Sequence, residues 1–162
     1  MTDILRLFFI IILLTIGLAA YFLVLHALFA NRVTLAQRVI NQMPARAFGV
    51  GLVNFLFFGV IAMILLSVAE NASGAIKVIL TLPALLITAV LTIILSFGLA
   101  GMVNLVGERI LPEHSSLKRS AWGTVLLTFA CALPFVGWFL LLPYVALLGF
   151  GAVILSFFQR DS

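Results

Sequence analysis

Charged side chains are scarce in this 162-residue chain: Asp, Glu, Lys and Arg together make up 9% of it. Soluble domains carry about 25% charged residues, so the composition excludes an ordinary water-soluble protein. Hydrophobic residues make up 65% of the chain, and its mean hydropathy is +1.35. The main solvent of this chain is therefore lipid rather than water.

Side chains that could act in catalysis or bind metals are just as rare. Cys131 is the single cysteine, so the chain cannot form an internal disulfide or run a dithiol cycle. The interiors of the apolar blocks hold no acidic residue, and the chain has no Gly-x-Ser-x-Gly motif. The carboxylate and histidine sets that metal chemistry needs are also missing. We therefore expect no enzyme activity, no metal and no cofactor.

Three long apolar blocks follow one another along the chain. Each exceeds the roughly 20 residues that a helix needs to cross a bilayer, so each predicts a full transmembrane helix. The three predicted spans are residues 4–30, 47–69 and 78–106. The polar segments between them are too short to fold separately. We therefore expect residues 1–162 to form a single all-α integral membrane domain.

A fourth apolar block, residues 121–158, has no charged side chain but contains Pro134, Gly137 and Pro143. As one straight helix it would be longer than the roughly 30 Å hydrocarbon core, yet it is short for two full crossings. We expect a C-terminal hydrophobic hairpin of two shorter helices, broken by proline and glycine near Pro134. A single kinked helix is the alternative.

Basic residues are distributed unevenly over the polar connections. The first and third connections carry three each and the second carries one, which predicts that the first and third face the cytoplasm and the N-terminus lies outside. The residues concerned are Arg32, Arg38 and Arg46, then Lys77, then Arg109, Lys118 and Arg119. Because they adjoin spans rather than lining one polar face, we expect no nucleic-acid partner.

Residues 33–43 alternate apolar and polar side chains at helical spacing. This pattern predicts an amphipathic helix at the inner membrane surface. Arg38 within this helix, with Arg32 and Arg46 on either side of it, would bind anionic lipid headgroups or a partner protein. Each arginine near headgroups is worth about 1 kcal/mol.

A few polar residues fall inside or at the ends of the spans. With the topology above, four of them would lie in the same leaflet: His26, Asn54, Asn104 and Glu108. Such groups form interhelical hydrogen bonds that fix helix register. Alternatively they form a proton or solute site, in which His26 would titrate.

Small residues also line parts of the apolar blocks. Thr88, Thr92 and Ser96 stand four residues apart on the third span, followed by Gly98 and Gly101. The last block carries Gly149 and Gly151 in a similar arrangement. Because small side chains let helices approach closely, we expect these faces to pack against a neighbouring helix of this chain or of another.

From Arg32 onward the chain resembles a bacterial multi-span membrane module that is found alone or downstream of bactofilin, the polymer-forming cytoskeletal protein. The shared motifs are PARAFGVG at 44–51, GER at 107–109, LPFVG at 133–137 and LGFGAV at 148–153. The resemblance implies a bacterial cytoplasmic membrane and a membrane platform close to a polymer or complex.

Two functions are compatible with these observations. The first is a non-catalytic scaffold or accessory subunit that anchors or assembles a larger membrane complex, with a protein partner or a second copy in the membrane. The second is a minimal channel or transporter for protons or a small solute. The last apolar block favours it, because helices interrupted within the membrane are common in transporters.

The charge distribution generates a prediction on topology. Cysteines introduced at Gln42 and Ser116 should react with an impermeant reagent only from the cytoplasmic side, and one at Ser73 only from outside. Labelling of the Ser73 and Ser116 positions from the same side would contradict it.

Overall fold

The computed structural model of the protein describes residues 2–133 and 135–158. The described chain consists of α-helices and one short π-helical segment, without a β-strand. In order these are α1 (Thr2–Gln42), α2 (Pro44–Asn71), α3 (Ala75–Ile110), α4 (Ser116–Ala132), the π-helical segment Val136–Leu141 and α5 (Leu142–Phe158).

Four helical stretches are long and apolar enough to cross a membrane, with mean hydropathies between 2.2 and 2.8. They are Phe8–Gln42, Pro44–Asn71, Ala75–Ile110 and Val136–Phe158. Large apolar side chains such as those of Phe57 and Met63 are exposed on the outer surface of the bundle. So much exposed apolar surface suits lipid and not water. The predicted all-α membrane class is confirmed.

Local sequence explains where the helices begin and end. Pro44 has no N–H and restricts the residue before it, so α1 stops at Gln42 and α2 starts with the proline in its first turn. The short loop between α2 and α3 ends at Gly74, whose φ of +63° favours glycine. α2 and α3 therefore form a tight helical pair that contains the predicted spans 47–69 and 78–106.

Helix α1 joins the first predicted span to the amphipathic segment 33–43. The two parts meet at Phe29, whose backbone is not helical (φ −130°, ψ 39°). Its ring packs edge-on against Phe97 of α3, with centroids 5.2 Å apart. After this kink the apolar face of α1 is buried against the rest of the bundle, including Val33 and Val39. The face that was expected to contact the membrane therefore contacts protein.

The last apolar block forms two helices of unequal length. α4 has 17 residues, whereas Val136–Phe158 has 23 and is long enough to span by itself. Phe135 adopts a left-handed φ of +66°, and Gly137 packs on the end of α4, where an added Cβ would lie 2.7 Å from the carbonyl oxygen of Ala130. The chain thus turns sharply here. Pro134, expected at this turn, lies outside the described residues.

Helix α5 crosses α2 and α3 through backbone contacts at glycines. A Cβ added to Gly151 would lie 2.5 Å from the backbone nitrogen of Gly51 on α2. One added to Gly149 would lie 2.6 Å from the carbonyl carbon of Gly98 on α3. Lipid offers no hydrophobic drive for helices to associate, so such close packing has to supply the stabilisation.

Helices α1 and α4 approach the second half of α3 in the same way. A Cβ added to Gly101 of α3 would lie 3.2 Å from the Cβ of Ala36 on α1. One added to Gly123 of α4 would lie 3.0 Å from the backbone nitrogen of Gly107 on α3. These contacts bring α1, α3 and α4 together near the α3–α4 loop.

The hydroxyl stripe of α3 takes no part in this packing. Thr88, Thr92 and Ser96 each donate a hydrogen bond to the carbonyl four residues earlier in α3, at 2.8 Å. Thr88 and Thr92 are exposed and Ser96 is half-buried. The glycines expected to pack are therefore inside the bundle, and most of the hydroxyl stripe lies on its outer surface.

The α2–α5 crossing generates a prediction on stability. Gly51→Ala should lower the free energy of unfolding by about 1–3 kcal/mol, because the new methyl group would overlap the backbone of α5. Gly59→Ala on the same helix is the control: an added Cβ there meets no atom within 4 Å, and alanine favours a helix. Unfolding by SDS in mixed micelles measures both. Equal stability of the two variants would contradict the crossing.

Candidate functional site

A polar cavity of about 330 Å³ opens where α1, α3 and α4 meet. Its lining combines two arginines, one carboxylate, one histidine and several neutral polar groups. These are His26, Thr34, Gln37, Arg38 and Asn41 of α1, Asn104 and Glu108 of α3, and Ser116 and Arg119 of α4. Three helices therefore form the cavity, at the end of the bundle that carries the α3–α4 loop.

The kink at Phe29 allows α1 to line the cavity twice. His26 lies before the kink, and Thr34, Gln37, Arg38 and Asn41 lie after it. The later residues follow the i, i+3, i+4, i+7 spacing of one helix face. The opposite face of this part of α1 is buried in the core, so the polar face is directed to the cavity.

His26 connects the three helices through both of its ring nitrogens. Asn104 Nδ2 on α3 lies 2.8 Å from His26 Nδ1, and Ser116 Oγ on α4 lies 2.6 Å from Nε2. With the Asn104 amide assigned as donor, Nδ1 accepts and the ring proton is on Nε2, which donates to Ser116. Asn104 is buried, with 6% of its surface exposed. These two contacts tie α1 to both α3 and α4.

Glu108 occupies the other side of the cavity. Its carboxylate accepts a hydrogen bond from Gln37 Nε2 and lies 4.0 Å from Nη1 of Arg119. Arg119 also donates from Nε to the carbonyl oxygen of His114 at 2.8 Å. Because Glu108 is half exposed, this long ion pair adds little to stability. Its effect is to hold the α1 and α4 side chains around the cavity.

The structure brings together three of the four residues expected to form a polar cluster. His26, Asn104 and Glu108 all line the cavity. Asn54 does not: its Nδ2 donates to the carbonyl oxygen of Val50 in its own helix, at 2.9 Å. The predicted depth of Asn54 in the bundle did not determine the direction in which its side chain points.

The three arginines expected to dock lipid or a partner lie in different surroundings. Arg38 is exposed at the cavity. The Arg32 guanidinium lies 4.9 Å from the ring centroid of Phe157, a cation–π contact. Arg46 is exposed near the start of α2 and contacts the sulfur of Met43 at 3.8 Å. Only Arg38 therefore belongs to the cavity.

Several residues of the site were not predicted from the sequence. Thr34, Gln37 and Asn41 could have been recognised, because they share a helix face with Arg38. Ser116 and Arg119 carried no such signal, since their positions depend on how the α3–α4 loop turns. Among the described residues, no three His, Cys, Asp or Glu side chains converge as metal ligands would. The site offers hydrogen-bond donors and positive charge.

The difference between Asn104 and Asn54 generates a prediction. Asn104→Leu should lower the free energy of unfolding by about 1–3 kcal/mol, because it leaves His26 Nδ1 without its donor. Asn54→Leu should cost about 1 kcal/mol or less, because the backbone N–H of the helix still satisfies the Val50 carbonyl. SDS unfolding measures both. A larger loss for Asn54→Leu would contradict the site as described.

Comparison with known proteins gives this site no counterpart. No protein-family model, curated protein or solved structure matches the chain. The relation to the bactofilin-associated membrane module therefore remains a proposal from short sequence motifs. Function has to be argued from the residues and contacts of this chain.

Proposed function

We propose that this protein is a non-catalytic scaffold or accessory subunit that anchors or assembles a larger membrane complex. The observation that carries the proposal is how polar side chains of the bundle helices are used. Thr15, Asn54, Thr124 and Ser156 each donate to a carbonyl of their own helix. These groups are satisfied locally, so they contribute to a packed bundle and not to a polar path through it.

The outer surface of α3 is suited to contact with a partner helix inside the membrane. Thr88 and Thr92 are exposed there, and their hydroxyls already bond to α3 itself. A small, internally satisfied surface lets a second helix approach closely at little desolvation cost. The partner is a membrane protein or a second copy of this chain, and a polymer-associated complex is the class that the bactofilin resemblance suggests.

A channel or transporter is the second candidate, favoured by the polar cavity around His26. It would use the histidine as the titrating or solute-binding group. The residues that line the cavity belong to α1, α3 and α4, at the end of the bundle that carries the α3–α4 loop. This placement fits a surface site better than a midplane site between repeats, which is the usual transporter arrangement.

The scaffold proposal predicts a partner of fixed stoichiometry after extraction in a mild detergent. Thr92→Trp should release that partner or dissociate the oligomer, because the bulky ring blocks close approach to α3. Met63→Trp is the control, since Met63 is 71% exposed on α2. Size-exclusion chromatography with light scattering and mass spectrometry measures the assembly.

Two results would contradict the scaffold proposal. One is a monomer without a partner in both variants and in the natural protein. The other is a proton or solute flux in proteoliposomes that His26→Leu abolishes while the folded protein is retained, which would favour the transporter.

A further inference from the structure

The cavity between α1, α3 and α4 carries more positive than negative charge. Two guanidinium groups, of Arg38 and Arg119, face one carboxylate, of Glu108, so these three groups carry one net positive charge. Arg38 has no ion-pair or hydrogen-bond partner within residues 2–133 and 135–158. Its five N–H donors are therefore available to a ligand.

The start of α4 adds a second source of positive potential. Ser116, the first residue of α4, lines the cavity, and the side chain of Ser115 before it makes no capping hydrogen bond. The N–H of Arg119 donates to the carbonyl oxygen of Ser115, the residue before α4, at 3.1 Å. The N–H groups of the preceding first turn thus have no helical acceptor, and they carry the positive end of the helix dipole.

These two features converge on one kind of ligand. Uncapped N–H groups at a helix start and a free arginine are the donors that bind phosphate groups in proteins. Asn41 adds a neutral amide donor on the α1 side. The cavity volume of about 330 Å³ is at the small end of ligand sites, which run from about 300 to 1,000 Å³.

We propose that this cavity binds a phosphate-bearing anion through Arg38 and Arg119, with the positive end of the α4 dipole adding to their attraction. The phosphate belongs either to the headgroup of an anionic lipid or to a soluble phosphate compound. Glu108 opposes the ligand by its like charge and competes for Arg119, from which it is 4.0 Å away. The proposal does not depend on the partner of the scaffold, because the cavity lies on α1, α3 and α4 and not on the outer face of α3.

Ligand binding to the full-length protein tests this proposal. The probes are inorganic phosphate, compared with chloride at equal ionic strength in a neutral detergent, and phosphatidylglycerol, added to phosphatidylcholine nanodiscs. The readouts are the shift in thermal unfolding midpoint and the apparent Kd. We expect saturable stabilisation by at least one probe. A response to both identifies the phosphate group itself, and a response to phosphatidylglycerol alone identifies the lipid headgroup.

Three variants separate the site from general attraction of anions. Arg38→Gln should weaken binding about tenfold, the loss of one charge-assisted hydrogen bond. Arg109→Gln removes the same charge from an exposed side chain that does not line the cavity, and it should leave the Kd unchanged. Glu108→Gln should tighten binding, an effect in the opposite direction that misfolding cannot produce.

Either of two results would overturn the proposal. The first is the absence of saturable binding of both probes. The second is equal weakening by Arg38→Gln and Arg109→Gln together with no gain from Glu108→Gln, which would indicate an unspecific charge effect.

Discussion

Direct backbone contact at glycines is the constraint on which the rest of this structure depends. Lipid gives apolar helices no hydrophobic reason to associate, so stabilisation must come from close packing and from satisfied hydrogen bonds. Gly51 and Gly151 allow α5 to meet α2, and Gly98 and Gly149 allow it to meet α3. The bundle is therefore closed by positions where any larger residue would separate two backbones.

The polar cavity is a consequence of the same packing. Gly101 admits the second part of α1, and the Gly107–Gly123 contact admits α4, so three helices meet at one end of α3. His26 then links them through Asn104 and Ser116. The glycines position the helices, and the cavity collects the side chains that these helices carry at their polar ends. Its net positive charge is the basis of the anion site that we propose.

Much of this architecture could be predicted from the sequence, because length and hydropathy report directly on spans. Rotation about a helix axis could not: Asn54 lies at a plausible depth but bonds to Val50 within α2. Pro143 lies in the first turn of α5, directly after the π-helical segment, and the helix continues past it. The stretch Val136–Phe158 is therefore longer than expected. The position of Ser116 depends on the folded α3–α4 loop, which local sequence does not determine.

The closure of the bundle by α5 is tested most directly by a cross-link between α2 and α5. The rings of Phe48 and Tyr144 stack with centroids 5.5 Å apart. With Cys131 replaced by alanine, cysteines at Phe48 and Tyr144 should be joined within one chain by a short bifunctional thiol reagent added to membranes. Absence of that cross-link, with each single cysteine still reactive to a thiol reagent, would contradict the packing of α5 on α2.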